Sequence, residues 1–301
     1  MNPTTIEEAL QRASFCLKKA GIEQYRVEAE LLLVYCMQSE RLQLYLKSAE
    51  AIPPGTENAF RELVMRRCGG EPVAYITGEK YFYGRRFLVN RSVLIPRPET
   101  EMIIESALEW SAFHFEPGGE GIKGIDLGTG SGVLAVTMAL ERPGASITAV
   151  DISAEALAQA RINARAYNLE DKIRWFRGNY FDALKGAGPT PLFNLVVSNP
   201  PYISSEDMTG LPDQIRDHEP AEALHGGEDG LDSYRSVLNI LPDYIEAPGL
   251  VLFEIGVGQQ EQVEKLSLQT GLFRSVSWRC DLAGHPRVME GVINSAFHRS
   301  K

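Results

Sequence analysis

Apolar residues in the first quarter of the chain recur every three or four positions, which is the spacing of helix faces. Thr4-Thr5-Ile6-Glu7-Glu8 offers two overlapping capping boxes, Thr4 with Glu7 and Thr5 with Glu8, and Gly21 is placed to stop the helix they begin. Further helices are predicted over 24–38, 42–47 and 56–68, the last closed by Gly69-Gly70. Short helices must cover one another's apolar stripes, so residues 1–75 read as a small bundle. The stretch 76–97 reads as a linker containing a hairpin, 81–83 with 87–89, because it is aromatic and β-branched around Gly84. Pro98 in a first turn and Glu99 and Glu101 beside it predict a helix over 99–112.

From residue 122 the pattern changes to short apolar runs alternating with helical stretches. Strands are predicted at 122–127, 146–151, 173–176, 193–198 and 250–255, helices at 132–141, 154–168, 233–246 and 259–270, and terminal strands near 275–278 and 291–298. Such alternation over 98–301 predicts an α/β domain with a mostly parallel sheet covered on both faces. Where no helix separates the last strands, the sheet is expected to close antiparallel.

Composition narrows the partners. The chain has 301 residues and a formal charge of −10, with an ordinary 44% hydrophobic and 23% charged content. Residues 1–90 hold 12 Lys+Arg against 11 Asp+Glu, leaving 18 against 29 for the rest. An acidic second module is a poor match for a phosphate backbone, so no stable nucleic-acid partner is expected. Cys16, Cys36, Cys68 and Cys280 stand far apart with no secretory leader ahead of them, which suggests free thiols in a reducing, cytoplasmic setting. No His or Cys spacing suits zinc, and no apolar run is long enough to span a membrane. Neither a metal nor a membrane partner is expected.

Two stretches carry candidate chemistry. In "DLGTGSG" (126–132), Gly128, Gly130 and Gly132 let the backbone turn tightly after a strand and approach a ligand, and the next helix presents free N–H groups. Asp151 ends the following strand, where an acidic side chain accepts ribose hydroxyls. The pairing indicates a nucleoside cofactor without separating a dinucleotide from S-adenosylmethionine, although Gly-x-Gly-x-Gly disfavours a pyrophosphate. In "LVVSNPPYIS" (195–204) a buried strand stops at Asn199-Pro200-Pro201-Tyr202. That places an amide, carbonyls that no proline N–H can claim and an aromatic ring at the strand's carboxyl end, where open α/β sheets bind ligands.

Asn-Pro-Pro-Tyr after the fourth strand resembles the signature of S-adenosylmethionine-dependent methyltransferases acting on a planar nitrogen, an adenine amino group or a glutamine amide. The stretches "IPRPETE" (95–101), "DLGTGSG", "SNPPYIS" (198–204), "HEPAEALHGGEDGLDSYR" (218–235), "FEIGVGQ" (253–259) and "DLAGHPRV" (281–288) together resemble one family, the HemK/PrmC protein-(glutamine-N5) methyltransferases. The resemblance implies a Rossmann-like class I methyltransferase sheet with an N-terminal helical bundle that docks the substrate. It implies S-adenosylmethionine as cofactor and, as partner, a peptide chain release factor methylated on the glutamine of its Gly-Gly-Gln motif. Gly128, Thr129, Gly130, Ser131 and Gly132 would then hold the methionine part, Asp151 the ribose, and Asn179 or Tyr180 the adenine. Asn199 would touch both cofactor and substrate, with Pro200, Pro201 and Tyr202 completing the glutamine pocket, and Asn199, Pro200 and Tyr202 are the catalytic candidates. Tyr202 is expected to offer its ring to the amide and its hydroxyl to solvent or backbone. Arg97 and Glu99 fit either residues lining the cofactor entrance or a charged pair capping a helix, and Glu219 with Arg235 either a loop-shaping pair or a solvated surface ion pair. An adenine-N6 or guanine-N2 nucleic-acid methyltransferase is the alternative enzyme, and a cofactor-binding interaction module the alternative class.

Overall fold

Of the two capping boxes available near the start, the chain uses the second. The computed structural model describes residues 4–53, 55–186 and 188–294. In it the Thr5 side chain accepts the Glu8 N–H while Glu8 accepts the Thr5 N–H, and helix α1 (Ile6–Lys19) begins there. Helices α2 (Tyr25–Met37), α3 (Arg41–Leu46) and α4 (Thr56–Cys68) follow, close to their predicted bounds. Ile6, Leu17, Leu32, Leu33, Leu44 and Phe60 bury their side chains together as the core of this bundle. Helix α5 (Val73–Thr77) is not predicted, because five residues are too few to display a period. The compact unit comprises Met1–Glu79 together with Pro212–His218. Within it, buried Arg67 donates to Glu28 at 2.5 Å and to Gln214 at 3.0 Å, so its charge is paired.

The second unit comprises Lys80–Leu211 and Glu219–Lys301. Hairpin strands β1 (Glu79–Phe82) and β2 (Arg85–Leu88) start about two residues earlier than predicted, because the turn is made by Tyr83-Gly84, both at positive φ. A 3₁₀ turn over Pro98–Thr100 leads into α6 (Glu101–His114). Then come β3 (Lys123–Leu127), α7 (Val133–Glu141), β4 (Ser146–Asp151), α8 (Ala154–Ala166), β5 (Ile173–Arg177) and β6 (Phe193–Ser198). After the short helices α9 (Ser205–Thr209) and α10 (Asp213–Arg216), the chain forms α11 (Asp232–Ile240), β7 (Ile245–Glu254), α12 (Gln260–Gln269), β8 (Phe273–Cys280) and β9 (Pro286–Ile293).

The seven strands are ordered β5-β4-β3-β6-β7-β9-β8; β9 is antiparallel to both neighbours and the other pairings are parallel. The sheet is buried on both faces. Along β6, Leu195 and Val197 join one core cluster, and Phe193 and Val196 join the other. The helix predicted over 233–246 ends at Ile240, since Pro242 lacks an N–H and a 3₁₀ turn over Leu241–Asp243 delivers the chain into β7. The strand predicted over 291–298 begins at Pro286, and residues 295–298 of that prediction lie outside the described residues.

Candidate active site

Strand order reverses between β3 and β6, so the loops leaving their carboxyl ends diverge and open a crevice. Ser198 at the end of β6 donates to the Leu127 carbonyl at 2.6 Å, which locks the two strand ends in register. Gly128, Gly130 and Gly132 follow β3, all at positive φ. At Gly128 and Gly130 a Cβ would meet nothing within 4 Å, so bare backbone faces open space; at Gly132 it would press on Ala160 at 3.0 Å, so this glycine instead lets α8 pack closely. Asp126 shapes the loop from beneath. Its Oδ2 accepts the Thr129 hydroxyl at 2.6 Å and the Ala135 N–H at 3.1 Å, and burial pushes its carboxyl up to about 7 against the pull of those bonds.

Asp151, at the end of β4, accepts the Gly130 N–H at 2.8 Å and the Ser153 N–H at 2.9 Å. Burial raises its pKa while backbone N–H groups of Gly130, Ser153 and Ile152 pull it back. A carboxylate has about four lone-pair sites, so Asp151 keeps acceptor capacity for a ribose hydroxyl beside these backbone N–H groups. Asn179 and Tyr180 follow β5, with Tyr180 in the left-handed region (φ 46), unusual for an aromatic residue. Gly128, Thr129, Gly130, Ser131, Asp151, Asn179, Tyr180, Asn199 and Pro201 line one cavity of about 340 Å³, a size suited to a nucleoside ligand. The predicted residues Gly132, Pro200 and Tyr202 are not on its wall.

The chain leaves β6 through Asn199-Pro200-Pro201-Tyr202, and other segments take up most of its polar groups. Asn199 Nδ2 donates to Thr100 Oγ1 at 3.0 Å, and Thr100 Oγ1 donates to Glu254 Oε2 at 2.5 Å. Ser233 donates to the Pro201 carbonyl at 3.0 Å, and Gln259 Nε2 to the Tyr202 carbonyl at 2.9 Å. Among the described residues, no donor reaches Asn199 Oδ1 or the Pro200 carbonyl. The segment around His225 lies against this strand end. Ile203 donates to the Leu224 carbonyl at 2.9 Å, and Gly226 donates to the Ile203 carbonyl at 2.8 Å. A Cβ at Gly226 would lie 2.7 Å from the Pro201 carbonyl, and one at Gly230 would lie 2.4 Å from that of Tyr202.

Three expectations are corrected. The Tyr202 hydroxyl goes neither to solvent nor to backbone; it donates to Glu254 Oε1 at 3.3 Å, and its ring packs against the core beneath the sheet. Glu219 does not pair with Arg235. It accepts from Arg97 at 2.5 Å and from the Ile95 N–H at 3.2 Å, joining two walls of the cavity, while Arg235 pairs with Asp229 and Asp232. Arg97 is not on the cavity wall; it occupies the N-cap position of the 3₁₀ turn over Pro98–Thr100, with its side chain on Glu219 and not on the turn's N–H groups. Sequence reasoning also passed over Thr100, Glu254, Ser233 and Gln259, although each sits inside a quoted stretch. Their signal lay in the company they keep, since nothing in their own spacing singles them out.

Two family models match parts of the chain. The PrmC N-terminal domain family matches residues 8–78, and the methyltransferase small domain family matches 111–215. Release factor glutamine methyltransferase of Bacillus subtilis is 40% identical, over 96% of this chain and 98% of its own; that of Bacillus cereus is 38% identical, over 94% and 98%. Among solved structures, a methyltransferase from Pyrococcus furiosus superposes with a TM-score of 0.51 at 15% identity, covering 71% of this chain and 91% of that one, a likeness of fold. Domain matches and near full-length identity lead to one conclusion: the chain belongs to the release factor glutamine methyltransferase family.

Proposed function

We propose that the chain transfers a methyl group from S-adenosylmethionine to the side-chain amide nitrogen, N5, of the glutamine in the Gly-Gly-Gln motif of peptide chain release factors. The names of its full-length relatives set the substrate and do not favour the nucleic-acid alternative. The cofactor fits the residues present: bare glycine backbone at 128 and 130, a ribose acceptor in Asp151, and Asn179 and Tyr180 beside them on one cavity. When bound there it supplies an electrophilic methyl on a sulfonium sulfur. Among the described residues no helix is long and apolar enough to cross a membrane, and a cytoplasmic location suits a translation substrate.

One observation carries the reading. Asn199 Oδ1 and the Pro200 carbonyl, at the β6 end, are acceptors that no donor among the described residues reaches, while the Pro201 and Tyr202 carbonyls are taken. A primary amide has two N–H donors and a lone pair delocalised into its carbonyl, the resonance that also flattens peptides. Two neutral acceptors gripping those donors hold the nitrogen in line with the methyl and favour the pyramidal, positively charged transition state. With S-adenosylmethionine bound, forming the carbon–nitrogen bond at the expense of the carbon–sulfur bond would leave the nitrogen cationic and able to give a proton to water, so the chain's own residues need supply no dedicated base. Pro201 lines the cavity beside Asn199, Tyr202 braces the strand end from the core side through Glu254, and the bundle offers a surface for docking the release factor.

Incubation with S-adenosylmethionine and a release factor, followed by peptide fragmentation, should place one added methyl on the Gly-Gly-Gln glutamine. Asn199→Ala should keep cofactor binding within a fewfold yet lose transfer. A methyl found on nucleic acid, or none on the glutamine, would refute the reading.

A further inference from the structure

The Glu254 carboxylate is buried at the end of β7, and transfer as described above gives it no task. It stands two steps from the substrate acceptor. Glu254 Oε2 accepts the Thr100 hydroxyl at 2.5 Å, and Thr100 Oγ1 accepts Asn199 Nδ2 at 3.0 Å. Its other oxygen accepts the Tyr202 hydroxyl at 3.3 Å, and its backbone carbonyl accepts that of Tyr234 at 2.9 Å.

A carboxylate only accepts, so the single proton of Thr100 must point to Glu254. Thr100 then presents only a lone pair to Asn199. Of the two ends of that amide only the NH₂ can face it, and Oδ1 is turned to the cavity. We propose that Glu254, acting through Thr100, is the positioning residue that decides which end of the Asn199 amide meets the substrate. With the opposite polarity, Nδ2 would confront the two donors of the substrate amide and transfer would stop. The same carboxylate ties Tyr202 to the network, so one buried charge sets both residues. The inference rests on the glutamine-methylation reading above and adds two residues that act through Asn199: Glu254, which is off the cavity wall, and Thr100, which is on it.

Burial pushes the Glu254 carboxyl up to about 7, with Glu99 raising it further and Thr100, Tyr202 and Arg287 opposing. The groups facing it are thus Thr100 and Glu99 ahead of α6, Tyr202 after β6, Tyr234 on α11 and Arg287 on β9. Once protonated it donates to Thr100, and the polarity of the chain is no longer imposed.

The test measures kcat and the KM for a release factor at saturating S-adenosylmethionine, and separately the cofactor Kd by titration, across pH 6 to 9. Thr100→Val should lower kcat roughly ten- to hundredfold, about 1.4 kcal/mol per factor of ten, with the cofactor Kd within about twofold. Thr100→Ser should restore kcat to within about threefold, because it returns the hydroxyl. The unaltered protein should lose kcat as pH falls through about 7, and Glu254→Gln, which keeps an acceptor for Thr100 but does not titrate, should lack that limb. Unchanged kcat in Thr100→Val, or an equal acid limb in Glu254→Gln, overturns the proposal. Should Thr100→Val fail to bind cofactor, the Glu254→Gln profile decides alone. If the unaltered protein methylates no release factor, the functional reading fails instead, and that control separates the two.

Discussion

Asp126 and Asp151 stand on neighbouring strands, and burial raises both, yet their tasks differ. Asp151 lines the cavity and keeps lone pairs for a ligand, so Asp151→Ala should weaken S-adenosylmethionine binding by roughly ten- to hundredfold in calorimetry, the worth of charged hydrogen bonds. Unchanged affinity would remove it from the ribose site. Asp126 is sealed beneath the glycine loop with Oδ1 unpartnered among the described residues. Its folded-state value of about 7 lies above the ordinary 3.8, so the folded chain holds the proton more tightly. That contribution is fully present below about 3.8 and is lost as pH rises through about 7. Urea melts should therefore show stability falling across this window, with a shallower slope in Asp126→Asn; parallel slopes would contradict the burial argument. Asp151 was legible in the sequence because it ends a strand one unit after a glycine loop. Glu254 was not, because a carboxylate inside "FEIGVGQ" carries no sign of being buried against Thr100.

Elements were legible wherever periodicity spans enough residues. The bounds of α4, β4 and β6 coincide with those predicted. Failures cluster where one residue overrides a pattern: Pro242 cuts a helix that its apolar spacing would extend, and Tyr83 accepts a positive φ to close the hairpin early. The segment from His218 to Arg235 was quotable as a motif, but its physical purpose emerges only from the fold. Gly226 and Gly230 allow it to lie directly on the backbone of Pro201 and Tyr202. Gly226→Ala should therefore destabilise the chain by about 1–3 kcal/mol through the overpacked contact. It should also cut kcat more than tenfold, by displacing the strand end. A variant with kcat and melting temperature both unchanged would show that the close approach does not matter.

For the whole molecule, the sequence indicated two modules and an acidic catalytic half, whereas the assignment of residues 212–218 to the bundle's unit had no sequence signal. A short stretch between α9 and the motif at 218 looks like loop, and only packing such as Arg67 on Gln214 reveals its place. On the bundle, Phe15, Leu42 and Leu46 are 61%, 62% and 70% exposed, an apolar outlay suited to a protein partner. If the bundle docks the release factor, Leu46→Glu should raise the KM for the intact factor about tenfold, in line with loss of an interface anchor. It should leave transfer to a short Gly-Gly-Gln peptide unchanged; equal effects on both would place docking elsewhere.

The central claim is that two leftover acceptors at the end of β6 grip a flat amide against an activated methyl. It is tested most directly by a crystal structure with S-adenosylhomocysteine and a Gly-Gly-Gln peptide. The account predicts the glutamine NH₂ within hydrogen-bond distance of both Asn199 Oδ1 and the Pro200 carbonyl, with its nitrogen facing the cofactor sulfur. A glutamine held by other groups, or Asn199 presenting Nδ2 to it, would contradict the account.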